Sequence, residues 1–173
     1  MSSLSIPELI ISTFARGLET FAHVLAKSDE WAKENGVDPD SFVNQRLVED
    51  QLPLSFQVQF VSRIVQTNLG RLSGETATLW EEDEKTFQEL RKRIDRTLDL
   101  VKAFDLAKAQ ATDFGAEFDF SFKGGDHKTT LQGFFLTHVL PNFFFHLSTG
   151  YQFLRAKGVP LGKKDWLGGF LGI

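Results

Sequence analysis

No cysteine occurs in the 173 residues. Disulfide staples, thiolate nucleophiles and Cys-ligated zinc are therefore excluded. Positive charge is also in short supply: 19 Lys and Arg stand against 23 Asp and Glu, a net charge of −4. A chain that wraps nucleic acid needs a basic face, so no nucleic-acid partner is expected. No 18-residue apolar run is evident, so no transmembrane helix is expected. The leading MSSLSIPELIISTFARG lacks the basic start and long apolar stretch of a secretory signal. The cytoplasm is the expected compartment, and no membrane partner is expected.

What the chain does have is phenylalanine, 18 of them against one Tyr and one Met. With 42% hydrophobic and 24% charged residues, the composition is that of one globular domain over residues 1–173. Such a chain hides roughly 70% of its unfolded surface on folding. So many stiff rings suggest aromatic packing around a cavity, or else no more than a compositional preference.

Helical periodicity marks four segments. From Ser5 to about Lys33, Ile10, Phe14, Leu18 or Phe21, and Leu25 recur at three- and four-residue steps. Ser5 can cap, Pro7 falls in the first turn, and Asn35-Gly36 closes the helix. A short turn from Phe42 to Gln51 leads to Pro53. The second helix runs from Leu54 to Leu72 on a stripe of Leu54, Val58, Val61, Val65, Leu69 and Leu72, with Gly74 after it. The third is expected from Glu82 to about Ala111, with Phe87, Leu90, Ile94, Leu98 and Val101 inward and the charge run EEDEK on a solvated face. The alternation Phe118, Phe120, Phe122, followed by Gly124-Gly125-Asp126, predicts a short β-hairpin or two extended arms. The fourth helix is expected from about Leu131 to Lys157, with Pro141 kinking or restarting it. The tail GVPLGKKDWLGGFLGI carries too many apolar residues to stay in solvent and is expected to fold onto the helices. Its GVPLGKKD stretch has the wrong glycine spacing for a phosphate loop.

The polar candidates lie on helices two and four. Asn142 and His146 are one turn apart on the same face, in LPNFFFHLS. Gln57 lies on the stripe Asp50, Leu54, Gln57, Val61, Ile64, Asn68. A buried imidazole needs hydrogen-bond partners, so Gln57, Asn142 and His146 are expected to meet inside the bundle, with Asp50 nearby. The cluster is either a polar seam that fixes helix register or the floor of a pocket. His138 and His146, about 80° apart on an ideal helix, converge only if the Pro141 kink brings them together. His23 is expected half exposed and His127 solvated.

The segment LPNFFFHLSTGYQFLRAKGVPLGKKDWLG resembles the C-terminal signature of an uncharacterised family, domain of unknown function 1993. EDQLPLSFQVQF resembles that family's second-helix motif, and the likeness spans nearly the whole chain. The family is similar to the DinB/YfiT-like superfamily of four-helix bundles. The resemblance implies an all-α, DinB-like four-helix bundle with a hairpin between helices three and four and a packed tail. It also implies a divalent metal held by three histidines, one on helix two and a pair on helix four, in enzymes that handle small molecules. Here Gln57 and Asn142 would occupy two of those positions. Amide oxygens are poor ligands for zinc or nickel, so no metal cofactor is carried over. Any metal that did bind would draw on His146, His138 and Asp50.

Three functions follow from these residues. The first is a small-molecule enzyme or binding protein, with an apolar or aromatic ligand in an aromatic pocket, Gln57 and Asn142 orienting it and His146 as general acid or base. The second is a divalent-metal-dependent transferase or isomerase. The third is a non-enzymatic homodimer in which the cluster is structural.

Overall fold

The computed structural model describes residues 5–172. Helix α1 (Ile6–Glu34) opens on a capping box: the Ser5 hydroxyl accepts from the Glu8 amide, and the Glu8 carboxylate accepts from the Ser5 amide at 2.9 Å. Ile10, Phe14, Leu18, Phe21 and Leu25 are all buried, as their spacing predicts. One 18-residue window of α1 reaches a mean hydropathy of 1.2, apolar enough by composition to cross a membrane. Those side chains are spent on the bundle core instead.

The short turn ahead of the second helix lies earlier than expected. Pro39–Phe42 is a 3-10 turn capped by Asp38, and residues 43–53 follow as irregular turns. Helix α2 (Leu54–Ser73) ends where Gly74 takes a left-handed φ of +71°.

The third helix is shorter than its charge pattern suggests. Residues 75–86 run as an irregular strap, and α3 (Phe87–Lys102) begins only after Thr86, which forms a capping box with Glu89. The physical reason is charge. Crowded carboxylates in one helical turn repel. In the strap they find partners instead: Glu82 pairs with Arg63 of α2, and Glu84 accepts from Gln59 of α2 and Arg93 of α3. The acidic run is thus a clasp across two helices rather than a solvated helix face. Beyond Ala103 the chain makes a separate 3-10 turn, Leu106–Ala109, capped by Asp105.

Strands β1 (Glu117–Phe122) and β2 (Gly125–Thr130) pair antiparallel, Phe118 opposite Thr129 and Phe120 opposite His127. The turn is Lys123-Gly124, one residue earlier than the glycine pair suggests; φ is positive at both, +50° and +79°, as a two-residue hairpin turn requires. The phenylalanines then pack on helical residues, Phe118 and Phe120 on Phe134 at 4.6 and 4.9 Å between ring centres.

Helix α4 (Leu131–Phe134) passes through a π turn, Phe135–Val139, into α5 (Leu140–Ala156). Pro141 has no N–H for an i−4 carbonyl, and its ring crowds that carbonyl. The wider π turn immediately upstream absorbs both problems, so the helix neither breaks nor restarts. The tail forms α6 (Lys163–Leu171) and packs on α1. Arg16 donates to the Phe170 carbonyl, His23 and Lys27 both reach Asp165, and a Cβ on Gly169 would lie 2.4 Å from the Thr20 hydroxyl.

The long helices form a ring of neighbours: α1 packs on α3 and α5, and α2 packs on the same two. The fold is therefore the expected four-helix bundle, with the hairpin and α6 as additions. The seam between α2 and α5 carries the polar candidates.

Candidate functional site in the seam between α2 and α5

Gln57 and His146 do meet. The Gln57 amide nitrogen donates to the Leu52 carbonyl at 2.8 Å, which turns its oxygen toward the imidazole. His146 Nδ1 lies 2.7 Å from that oxygen. An amide oxygen only accepts, so Nδ1 carries the proton and Nε2 keeps a lone pair. His146 is 8% exposed and enclosed by Phe56, Phe60 and Phe145, the nearest ring centre 4.4 Å away at Phe60. Burial, aided by the positive charge of Arg63, pushes its pKa down to about 4. At neutral pH this imidazole is uncharged.

Asn142 does not join the pair. Its side chain has no hydrogen-bond partner among the described residues and lines a neighbouring cavity of about 160 Å³. The space is an open cleft rather than an enclosed void. The walls are Phe60, Ile64, Phe134 and Val139; the polar lining is Arg63, Thr67, Asn68, Arg71, His138 and Asn142. His146 is separated from this cavity by Phe60. His138 and His146 do not converge: His138 stacks on Phe134, with Phe120 and Phe122 beside it. Burial, with the charge of Arg71 and then His127, lowers the pKa of His138 below its ordinary value. Asp50 is exposed in the turns before α2 and contributes nothing to the seam, because the helix that would have carried it inward starts four residues later, at Leu54. His127 is exposed, as expected, and His23 is exposed on the α6 side.

The two arginines of the cavity were not singled out by sequence. Arg63 lies over the Phe60 ring at 4.8 Å and is held by Glu82 through two hydrogen bonds, 2.8 and 2.7 Å. Arg71 lies over Phe134 at 5.2 Å and donates to Asn68 Oδ1 at 3.0 Å. A signal existed. The stripe through Gln57, Val61, Ile64 and Asn68 continues by one three-residue step to Arg71.

A divalent metal does not suit this donor set. Gln57 spends its oxygen on His146 and its nitrogen on Leu52. Asn142 faces a different space, and no group of three His, Cys, Asp or Glu side chains converges among the described residues. One imidazole with amides is too weak a set for zinc or nickel.

The bundle, its hairpin and its tail define a DinB-like protein. A crystal structure of a DinB family member protein from Shewanella denitrificans superposes with a TM-score of 0.81 at 30% identity, over 96% of each chain. More particularly, residues 7–167 match the family described as "Domain of unknown function (DUF1993)", and the chain belongs to that family. No curated protein matches it.

Proposed function

We propose that this protein binds a small organic molecule in the cleft between α2 and the stretch from Phe134 through the π turn to Asn142. One observation carries the reading: an open cleft of about 160 Å³ with aromatic and aliphatic walls, onto which Asn142 turns a side chain that has no hydrogen-bond partner among the described residues. Ligand sites combine apolar walls with converging polar groups, and here the polar groups outnumber the apolar ones. The Gln57–His146 pair stands behind Phe60 and fixes the position of α5 against α2. Of the two imidazoles, His138 is the one at the cavity wall, so any proton transfer to a bound molecule falls to it rather than to His146.

The test is an amide-resolved NMR titration with benzene-sized compounds, on the wild type and on Thr67→Trp, which fills the cavity from α2. Binding shifts the resonances of Ile64, Val139 and the Asn142 side chain in the wild type and leaves the variant unmoved. Shifts that persist in Thr67→Trp, or a panel that moves none of these resonances, would overturn the reading.

A further inference from the structure

Among the arginines withdrawn from solvent are Arg63, Arg71, Arg91 and Arg93. Three of them have a carboxylate: Arg63 has Glu82, Arg91 has Asp29, and Arg93 has Glu84. Arg71 has none within ion-pair distance among the described residues. A partly buried cation without a counter-charge is costly, and the cost shows in its own acidity: burial holds the Arg71 pKa below its ordinary value. The ring faces of Phe134 and Phe118 compensate in part, at 5.2 and 6.0 Å. They do not use its N–H groups. A guanidinium has five N–H donors, and Asn68 Oδ1 takes up only one of its nitrogens.

The surroundings point the same way. The chain as a whole is acidic, with a net charge of −4. Yet the lining of this cavity contains two arginines, a histidine, two asparagines and a threonine, and no Asp or Glu. Glu82 answers one of the arginines from outside the lining. One positive charge is left over, facing a space bordered by Phe60 and Phe134.

We infer that the cavity takes an organic anion: an apolar or aromatic body against Phe60, Ile64 and Phe134, and a carboxylate or phosphate on the Arg71 guanidinium. Asn142 and Thr67 supply further polar groups at the rim. Arg71 is the specificity-determining residue, because a planar fork of donors matches a planar carboxylate and rejects its neutral amide. This rests on the small-molecule reading above and adds the charge of the ligand.

The experiment compares benzoate, benzamide and inorganic phosphate in NMR titrations of the wild type, Arg71→Gln and Arg71→Lys. Benzoate is expected to bind the wild type about tenfold or more tightly than benzamide, as a charge-assisted contact requires. Arg71→Gln brings that ratio toward one, and Arg71→Lys restores part of it. The wild-type ratio needs no variant, so a misfolded mutant does not blunt the test. Phosphate that moves the Arg71 side-chain resonance while benzoate does not assigns the anion as a phosphate and supports the inference. Benzamide binding the cavity as tightly as benzoate overturns the anion assignment and leaves the binding site standing. If none of the three moves the cavity resonances, both readings fall.

Discussion

Helix α5 has two inward faces, and they are built on opposite principles. The face toward α1 is dry. Phe143 lies 4.9 Å from Phe14 between ring centres, and Leu147 and Gly150 continue the contact. Two glycines make room for rings: a Cβ on Gly17 would lie 2.5 Å from Phe143 Cε1, and one on Gly150 would lie 2.6 Å from Phe21 Cζ. The face toward α2 is polar and less complete. One pair there, His146 with Gln57, is buried, while Asn142 one turn earlier faces the cleft. A helix that binds its neighbour by shape on one side can hold a loosely filled, polar seam on the other. Stability is concentrated on the first face, which leaves the second less constrained by packing.

The largest effects are therefore expected on the dry face. Phe143→Ala should cost about 3–5 kcal/mol in urea unfolding, the usual range for losing a buried ring. Gly150→Ala should cost about 1–3 kcal/mol, because the added methyl meets the Phe21 ring rather than the tip of a flexible side chain. If Gly150→Ala proves neutral, the two helices have slack and the contrast between the faces weakens.

The buried pair gives an intermediate effect with a pH signature. The folded pKa of His146, about 4, lies below the unfolded value near 6.5. Between those values the unfolded chain binds more protons, so stability falls as pH drops through the window. Above pH 6.5 the group contributes nothing to the pH dependence. The loss down to pH 4 should be on the order of 2 kcal/mol, the full difference being discounted for partial solvent access. Unfolding curves at pH 7, 5.5 and 4 check this. His146→Gln should flatten that part of the profile. An unchanged slope in the variant would mean that the imidazole is not the group that titrates.

The apolar core was legible in the sequence because its information is periodic. Ile10, Phe14, Leu18 and Leu25 repeat at helical steps, and so do Leu90, Ile94 and Val101, and all of them are buried, while Leu98 on the same expected stripe is half-buried. The capping of α1 by Ser5 was equally local. What failed to show was whatever depends on a partner from elsewhere in the chain. The EEDE run reads as a solvated helix start until Arg63, Gln59 and Arg93 are seen to draw it into a strap. Gln57 and His146 could be paired from stripe positions, since each lies on an inward face. Asn142 could not be assigned to the cleft rather than to the pair, because it and His146 lie on one stripe. The one turn of about 5.4 Å between them carries Asn142 past Phe60 to the level of Ile64 and Asn68. Arg71 looks like an ordinary cation in the last turn of a helix. Only the absence of a carboxylate within ion-pair distance among the described residues, which is a three-dimensional fact, distinguishes it from Arg63.

The smallest expected effect is the most informative about the polar face. Asn142→Ala removes a side chain with no hydrogen-bond partner among the described residues and only partial burial. Taking away a group that satisfies nothing orphans nothing, so the change in unfolding free energy should stay within about 0.5 kcal/mol. His146→Ala, one turn later, leaves the Gln57 oxygen without its buried donor and should cost about 1–3 kcal/mol more. Two substitutions on one stripe of one helix should thus differ because one side chain serves the fold and the other faces the cavity. Parallel urea titrations at pH 7 measure the difference directly. A loss above about 1.5 kcal/mol for Asn142→Ala would show that the asparagine holds the seam together, and the polar face would then be structural along its whole length.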